Sequence, residues 1–297
     1  MLPFIAQPPG DPQASFDAAV SAAEHWGLAR PKLMRHGMNT LFTAGDDVVL
    51  RVGRPTTDPA AAIWLGEWLT QRGLRVPRFA ASDVVVAGEL SVFAQVREPA
   101  AGSIDWAEVG AMVARLHACS VDEIADVSAH YPTPPCMSFP WWDFDALLDD
   151  IGSDLDEAAR AGIDRVIAGS NWRNEIGEVV LCHGDVHPGN VIAAVDGPVL
   201  LDWDLLSLGP RAWDHGPLMN WTSRWGGAPG VYETFADGYG SSLRGEPVAE
   251  VLAELRLVAA TLMRVRAGRT DPVAAKEAEL RLRYWRGDPT APAWTAA

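Results

Sequence analysis

Leu181-Cys182-His183-Gly184-Asp185-Val186-His187-Pro188-Gly189-Asn190, followed by Leu200-Leu201-Asp202-Trp203-Asp204, is the stretch on which the reading of this chain turns. Asp185 and Asn190 stand five positions apart, and Asp202 comes twelve after the asparagine. A carboxylate, an amide oxygen and a second carboxylate are the parts a phosphoryl-transfer site needs. One accepts the proton of an attacking hydroxyl, and the other two offer oxygens to the divalent ions that screen nucleotide phosphates. Two other readings fit the same letters. Gly, Asp, Asn and Pro favour turns for conformational reasons, so the run also reads as an ordinary turn between two apolar strands. His183 and His187, four apart, would share a helix face as metal ligands, but Gly184, Pro188 and Gly189 oppose a regular helix there.

His-x-Asp-x-x-x-x-Asn with an aspartate one strand later is the protein-kinase arrangement. The local spelling, HGDVHPGN and then LDWD, resembles the aminoglycoside phosphotransferase and choline kinase family more than the protein kinases. The resemblance extends from about Leu33 to Asp214, with its specific letters around Asp185 and Asp202. It implies an α+β, two-lobed protein-kinase-like fold, with a small antiparallel-sheet lobe carrying one helix and a larger, mainly helical lobe. Asp185 would be the catalytic base, or the group that orients the acceptor hydroxyl. Asn190 and Asp202 would hold Mg2+, and ATP would be the donor. His183 would bond backbone around the loop. Asp214, in Pro210-Arg211-Ala212-Trp213-Asp214, would brace it.

In the small lobe the resemblance puts Arg51, in Val48-Val49-Leu50-Arg51-Val52, where kinases carry a lysine on the nucleotide phosphates. A guanidinium can grip phosphate oxygens as well. Glu67, sixteen residues on, would be its carboxylate partner. Gly37-Met38-Asn39-Thr40 falls at the place of a glycine-rich loop, with Asn39 and Thr40 as phosphate contacts and Val96 as a further nucleotide contact. A plain hairpin bend and a snorkelling arginine account for the same residues.

Periodicity places the elements. Helical spacing predicts helices over 15–28, 60–72, 106–118, 154–168 and 248–266, and Asp271-Pro272 opens a last one. Lys32–Thr43 and Val48–Val52 read as one hairpin, and Val84–Val86 with Ser91–Val96 as a second. The Pro/Gly-bearing break at Glu98–Gly102 divides residues 1–97, a nucleotide-binding lobe, from 98–297, the helical lobe with the catalytic loop and acceptor site.

The chain has 297 residues, of which 48% are hydrophobic, so a proper core is expected. No apolar run approaches the roughly 18 residues that span a bilayer. Met1-Leu2-Pro3-Phe4 lacks the basic start of a signal peptide. Cys119, Cys136 and Cys182 are too few for a disulfide framework and read as buried thiols in the cytoplasm. A net charge of −15 argues against nucleic acid and suits a cationic small molecule. From Asp143 to Glu157 there are seven acidic residues and no basic one. With Trp141-Trp142 and Trp221 nearby in type, this suggests an acceptor pocket in which Trp141, Asp143, Asp204 and Trp221 meet a hydroxylated, amine-bearing molecule.

The expected function is thus ATP-dependent phosphorylation of a small-molecule hydroxyl, by a monomer or homodimer that engages neither nucleic acid nor membrane. A catalytically silent nucleotide-binding module is the alternative on the same fold. A metal-dependent hydrolase built on His183, His187 and Asp202 is a third.

Overall fold

The computed structural model describes residues 11–169 and 177–295. The stretch Met1–Phe4, read above for a leader, lies outside them. Helix α1 (Pro12–His25) starts at Asp11, whose side chain accepts from the Gln13 amide. Its alanine face (Ala18, Ala19, Ala22, Ala23) is buried against Phe42, Leu50, Val52, Val92 and Ala94 of a five-stranded sheet. The strands are β1 (Lys32–Arg35), β2 (Thr40–Thr43), β3 (Val48–Gly53), β4 (Val85–Ala87) and β5 (Leu90–Val96), all antiparallel neighbours in the order β1-β2-β3-β5-β4. Lys32–Thr43, read as one run, is two strands that fold back at residues 36–39. The same turn residues singled out as a phosphate loop make that bend.

Helix α2 (Pro59–Gln71) joins β3 to β4, but its core is not the sheet's. Leu65, Trp68 and Leu69 belong to the large cluster of the helical lobe. The Trp68 indole donates to Asp126 at 2.8 Å, and Arg72 pairs with Glu123 at 3.2 Å, both acidic residues on α4 (Val121–His130).

The helical lobe continues with α3 (Trp106–His117), then α4, whose Ser120 and Glu123 form a reciprocal capping box. Helices α5 (Phe144–Ile151) and α6 (Glu157–Ala168) follow. Two small antiparallel pairs come next: β6 (Val179–Cys182) lies against β9 (Ser207–Pro210), and β7 (Val191–Ala194) turns into β8 (Gly197–Leu200). The chain ends in α7 (Ala212–Met219), α8 (Trp221–Trp225), α9 (Val231–Tyr239), α10 (Pro247–Gly268) and α11 (Pro272–Trp285), the last capped by Asp271. Among the described residues no helix is long and apolar enough to cross a membrane.

Helices α3 and α9 approach so closely that each offers the other a glycine. A methyl group on Gly110 would meet the carbonyl oxygen of Phe235 and come 2.7 Å from the Tyr239 nitrogen, and one on Gly238 would run into the Ala107 carbonyl. Because the obstacles are backbone, they yield only by separating the helices. Gly110→Ala should therefore destabilise the protein by about 1–3 kcal/mol, read as a lower denaturant midpoint at an unchanged slope.

Candidate functional site

The chain leaves β6 at Cys182 and turns sharply at Gly184, whose φ of 97° only glycine adopts without strain. Asp214, at the start of α7 and fully buried, catches this turn. One of its carboxylate oxygens accepts the His183 amide at 2.8 Å and His117 Nε2 at 3.1 Å, and the other accepts the Gly184 amide at 2.7 Å. Burial pushes Asp214 up, but His117, His183 and the Gly184 amide outweigh it, and its pKa lies below the ordinary carboxylate value. His183 is spent on backbone. Its Nε2 donates to the Leu201 carbonyl at 2.8 Å and its Nδ1 accepts the Asp185 amide at 3.1 Å. With both ring nitrogens engaged, the hydrolase reading has lost one of its metal ligands.

The loop so held presents Asp185 and Asn190. The Asn190 amide nitrogen donates to the Asp185 carbonyl at 3.0 Å and to its carboxylate at 3.2 Å. His187 Nε2 lies 3.3 Å from the same carboxylate oxygen. Arg256, on α10, reaches the other oxygen at 2.8 Å and the Gly184 carbonyl at 3.0 Å. Burial alone would raise the Asp185 pKa. His187, Arg256 and His183 together reverse this and hold it well below the usual carboxylate range.

Asp202 follows β8 in a left-handed conformation (φ 61°), the only non-glycine residue with positive φ among the described residues. It lies at the mouth of the cleft between Arg51 and Asp204, with its side chain 41% exposed. The surrounding protein pushes its carboxyl up to about 6, helped by Asp204 and Asp185 and opposed by Arg51. Arg51, on β3, makes its tightest ion pair with Asp204 and stands 3.6 Å from Asp202. Asn39, Arg51, Gly53, Tyr131 and Asp204 line one cavity, and Asn39 Oδ1 fills the space that a side chain at Gly53 would need.

Several expected contacts lie elsewhere. Glu67 is exposed on α2 and does not hold Arg51. The reason is that α2 turns Leu65, Trp68 and Leu69 toward the helical lobe, which leaves Glu67 facing water. Thr40 is buried and bonded to His36 Nδ1 at 3.1 Å. The Val96 amide is already donated to the Arg78 carbonyl. Trp141 is buried in the core and stacked on Phe139 at 4.5 Å, so it offers no ring to an acceptor. Asp143 caps α5 through the Ala146 amide. Three acids of the run that follows are paired from distant helices: Asp150 with Arg266 and Arg269, Asp154 with Arg269, and Asp156 with Arg286. Trp221, half-buried, does reach the site, where it stacks on His187 at 5.9 Å and 22°.

The residues at the cleft fit a divalent cation. The Asn190 amide nitrogen is tied back to Asp185, while its oxygen carries no hydrogen bond among the described residues. Asp204 stands beside Asp202, and burial, then this neighbouring charge, raises the Asp202 pKa. Hard oxygen donors of this kind suit Mg2+. Buried His117, Cys182 and Asp214 also lie near one another, but they brace the fold. Asp214 already accepts three hydrogen bonds, and burial holds the Cys182 thiol protonated.

A family model described as the phosphotransferase enzyme family matches residues 39–258. No curated protein sequence matches the chain. Among solved structures, the chain is similar to spectinomycin phosphotransferase APH(9)-Ia in complex with ADP and spectinomycin, with 14% identity over 89% of this chain and 92% of that one and a TM-score of 0.66. It is similar to amicoumacin kinase hAmiN in complex with AMP-PNP, Ca2+ and Ami, with 12% identity over 93% and 95% and a TM-score of 0.66. A choline/ethanolamine kinase family protein from Mesorhizobium loti gives 16% identity over 87% and 88% and a TM-score of 0.57. At these identities the likeness is one of fold.

The pairing of Arg51 is open to a double-mutant cycle. Arg51→Ala and Asp204→Ala should show a coupling of at least about 1 kcal/mol in unfolding free energy, because the two share one ion pair. Glu67→Ala should stay within about 0.5 kcal/mol of wild type, as a surface substitution does.

Proposed function

The chain belongs to the phosphotransferase enzyme family, and from that premise we propose that it transfers the γ-phosphoryl group of ATP to a hydroxyl of a small-molecule acceptor. The observation that carries this reading is the loop hung on Asp214, which holds Asp185 and Asn190 beside Asp202. The acceptor oxygen forms a bond to the γ-phosphorus, the bond to the bridging oxygen breaks, and ADP leaves. The proton of the hydroxyl passes toward Asp185. Because that carboxylate is held well below the usual range, its main work is to orient the hydroxyl as a hydrogen-bond acceptor. Asn190 and Asp202 would hold magnesium, which would supply neutralisation of phosphate charge. Arg51 adds a fixed positive charge on the small-lobe side of the cleft, kept in place by Asp204.

The finer reading is a hydroxylated amine: an aminoglycoside-like molecule, an amino alcohol or an amino sugar. The net charge of −15 and the Trp221 ring beside His187 support it. The acidic run after Asp143 lends it little, since arginines already pair with Asp150, Asp154 and Asp156. The same reading puts the enzyme in the cytoplasm, where ATP and magnesium are supplied, as a monomer or homodimer.

An ADP-release screen with MgATP over hydroxylated amines, sugars and antibiotics tests the reaction. Asp185→Ala should lower turnover by about 10²–10⁴-fold and leave MgATP affinity nearly intact, since the group acts on the acceptor. An Asp185→Ala enzyme within tenfold of wild type, a loss under about 1.4 kcal/mol, would remove Asp185 from the chemistry.

Asp202 also gives the site a pH signature. Its raised pKa means that the protonated, non-ligating form is already abundant near pH 6. MgATP affinity should hold steady above neutrality and weaken as pH falls through about 6, toward about tenfold per pH unit. Asp202→Asn should bind MgATP more weakly with the pH dependence flattened. Calorimetry across pH 5–8 reads both, and an unchanged affinity in the variant moves the metal elsewhere.

A further inference from the structure

Arg256 sits in a place built for it. Helices α7 and α10 pack together, and Gly216 on α7 leaves the lane through which the Arg256 side chain runs: a Cβ there would stand 3.3 Å from Arg256 Cδ. The guanidinium lies 5.2 Å from the centre of the Trp213 ring, and the side chain is 16% exposed. It ends in two directed hydrogen bonds, one to the Gly184 carbonyl and one to Asp185 Oδ1.

An ionised carboxylate offers about four lone-pair positions. On Asp185, Oδ2 receives the Asn190 amide and faces His187 Nε2. The Gly189 amide donates to His187 Nδ1 at 3.1 Å, which leaves Nε2 as the nitrogen that donates toward Asp185. Among the described residues, Oδ1 receives Arg256 alone. One position is left, and it is on the atom that Arg256 holds.

We propose that Arg256 is a positioning residue for the transfer step: it fixes the Asp185 carboxylate so that the acceptor hydroxyl is received at Oδ1 and nowhere else. The inference rests on the phosphotransfer reading. The terminal torsion of an aspartate is broad, so without the guanidinium the carboxylate rotates and the single open position loses its direction. Arg256 touches the loop and not the nucleotide cavity, so its effect belongs in kcat and not in the binding of MgATP.

The test compares wild type, Arg256→Ala and Arg256→Lys in the full chain. ADP release is followed with MgATP and the acceptor that gives wild type its fastest turnover, and with water as the only acceptor. Calorimetry gives the affinity and stoichiometry of MgATP. Arg256→Ala should lose about 100-fold in kcat, the scale of a misplaced reacting group, with MgATP affinity and stoichiometry unchanged. Guanidinium chloride at millimolar concentration should restore part of that loss, and Arg256→Lys should fall between. If Arg256→Ala does not fold, Arg256→Gln carries the kcat comparison. Wild-type kcat in the variant overturns the proposal. So does a loss that tracks MgATP stoichiometry and is not rescued by guanidinium, which is the mark of a structural role. Wild type that releases no ADP in either assay overturns the phosphotransfer reading itself, and this inference with it.

Discussion

The buried carboxylate of Asp214 is the constraint on which the site depends. Two consecutive backbone amides, those of His183 and Gly184, point at it, and His117 closes the set. His117 in turn meets the Tyr239 hydroxyl at 2.9 Å, so one charge ties the turn after β6 to α3, α7 and α9 at once. In so apolar a setting each of these bonds is strong, and an unpaired amide would be costly. The loop therefore has one conformation, and the spacing between Asp185 and Asn190 becomes a fixed distance in space.

Two guanidiniums then sort the carboxylates of the cleft. Arg256, with His187, takes up Asp185 and keeps it ionised. Arg51 is shared between Asp204 and Asp202 and covers the first more closely, so Asp202 is left with surplus negative charge. Neighbouring acids whose pKa values are driven apart in this way are suited to different tasks. The proposed reaction would use the first to receive a hydroxyl proton in a hydrogen bond and the second to attract a cation.

Much of this was legible in the sequence where the chemistry is local. The turn residues, the Asp185–Asn190 spacing and the return at Asp202 lie within 22 consecutive positions, and the helices with strong apolar stripes fall close to where periodicity puts them. What stayed hidden is long-range. Asp204 meets Arg51 across 153 residues and Arg256 meets Asp185 across 71, and no local pattern announces either. The same distance misled the acidic stretch. Its sequence neighbourhood lacks a base, yet Arg269 reaches it from 115 residues away. Glu67 was misplaced because helical spacing fixes which residues share a face but not which lobe that face will meet. Short α7, with Pro217 inside it, and five-residue α8 carry too little periodicity to be read at all.

The most direct test of this account is Asp214→Asn, which keeps the shape but turns one acceptor oxygen into a donor facing a backbone N–H. Amide hydrogen exchange at His183 and Gly184, followed beside ADP release from the same preparation, reads the loop and the chemistry together. The account predicts that both amides lose protection and that turnover collapses with them while the helices of the large lobe stay protected. Retention of wild-type turnover with His183 and Gly184 still protected would contradict it.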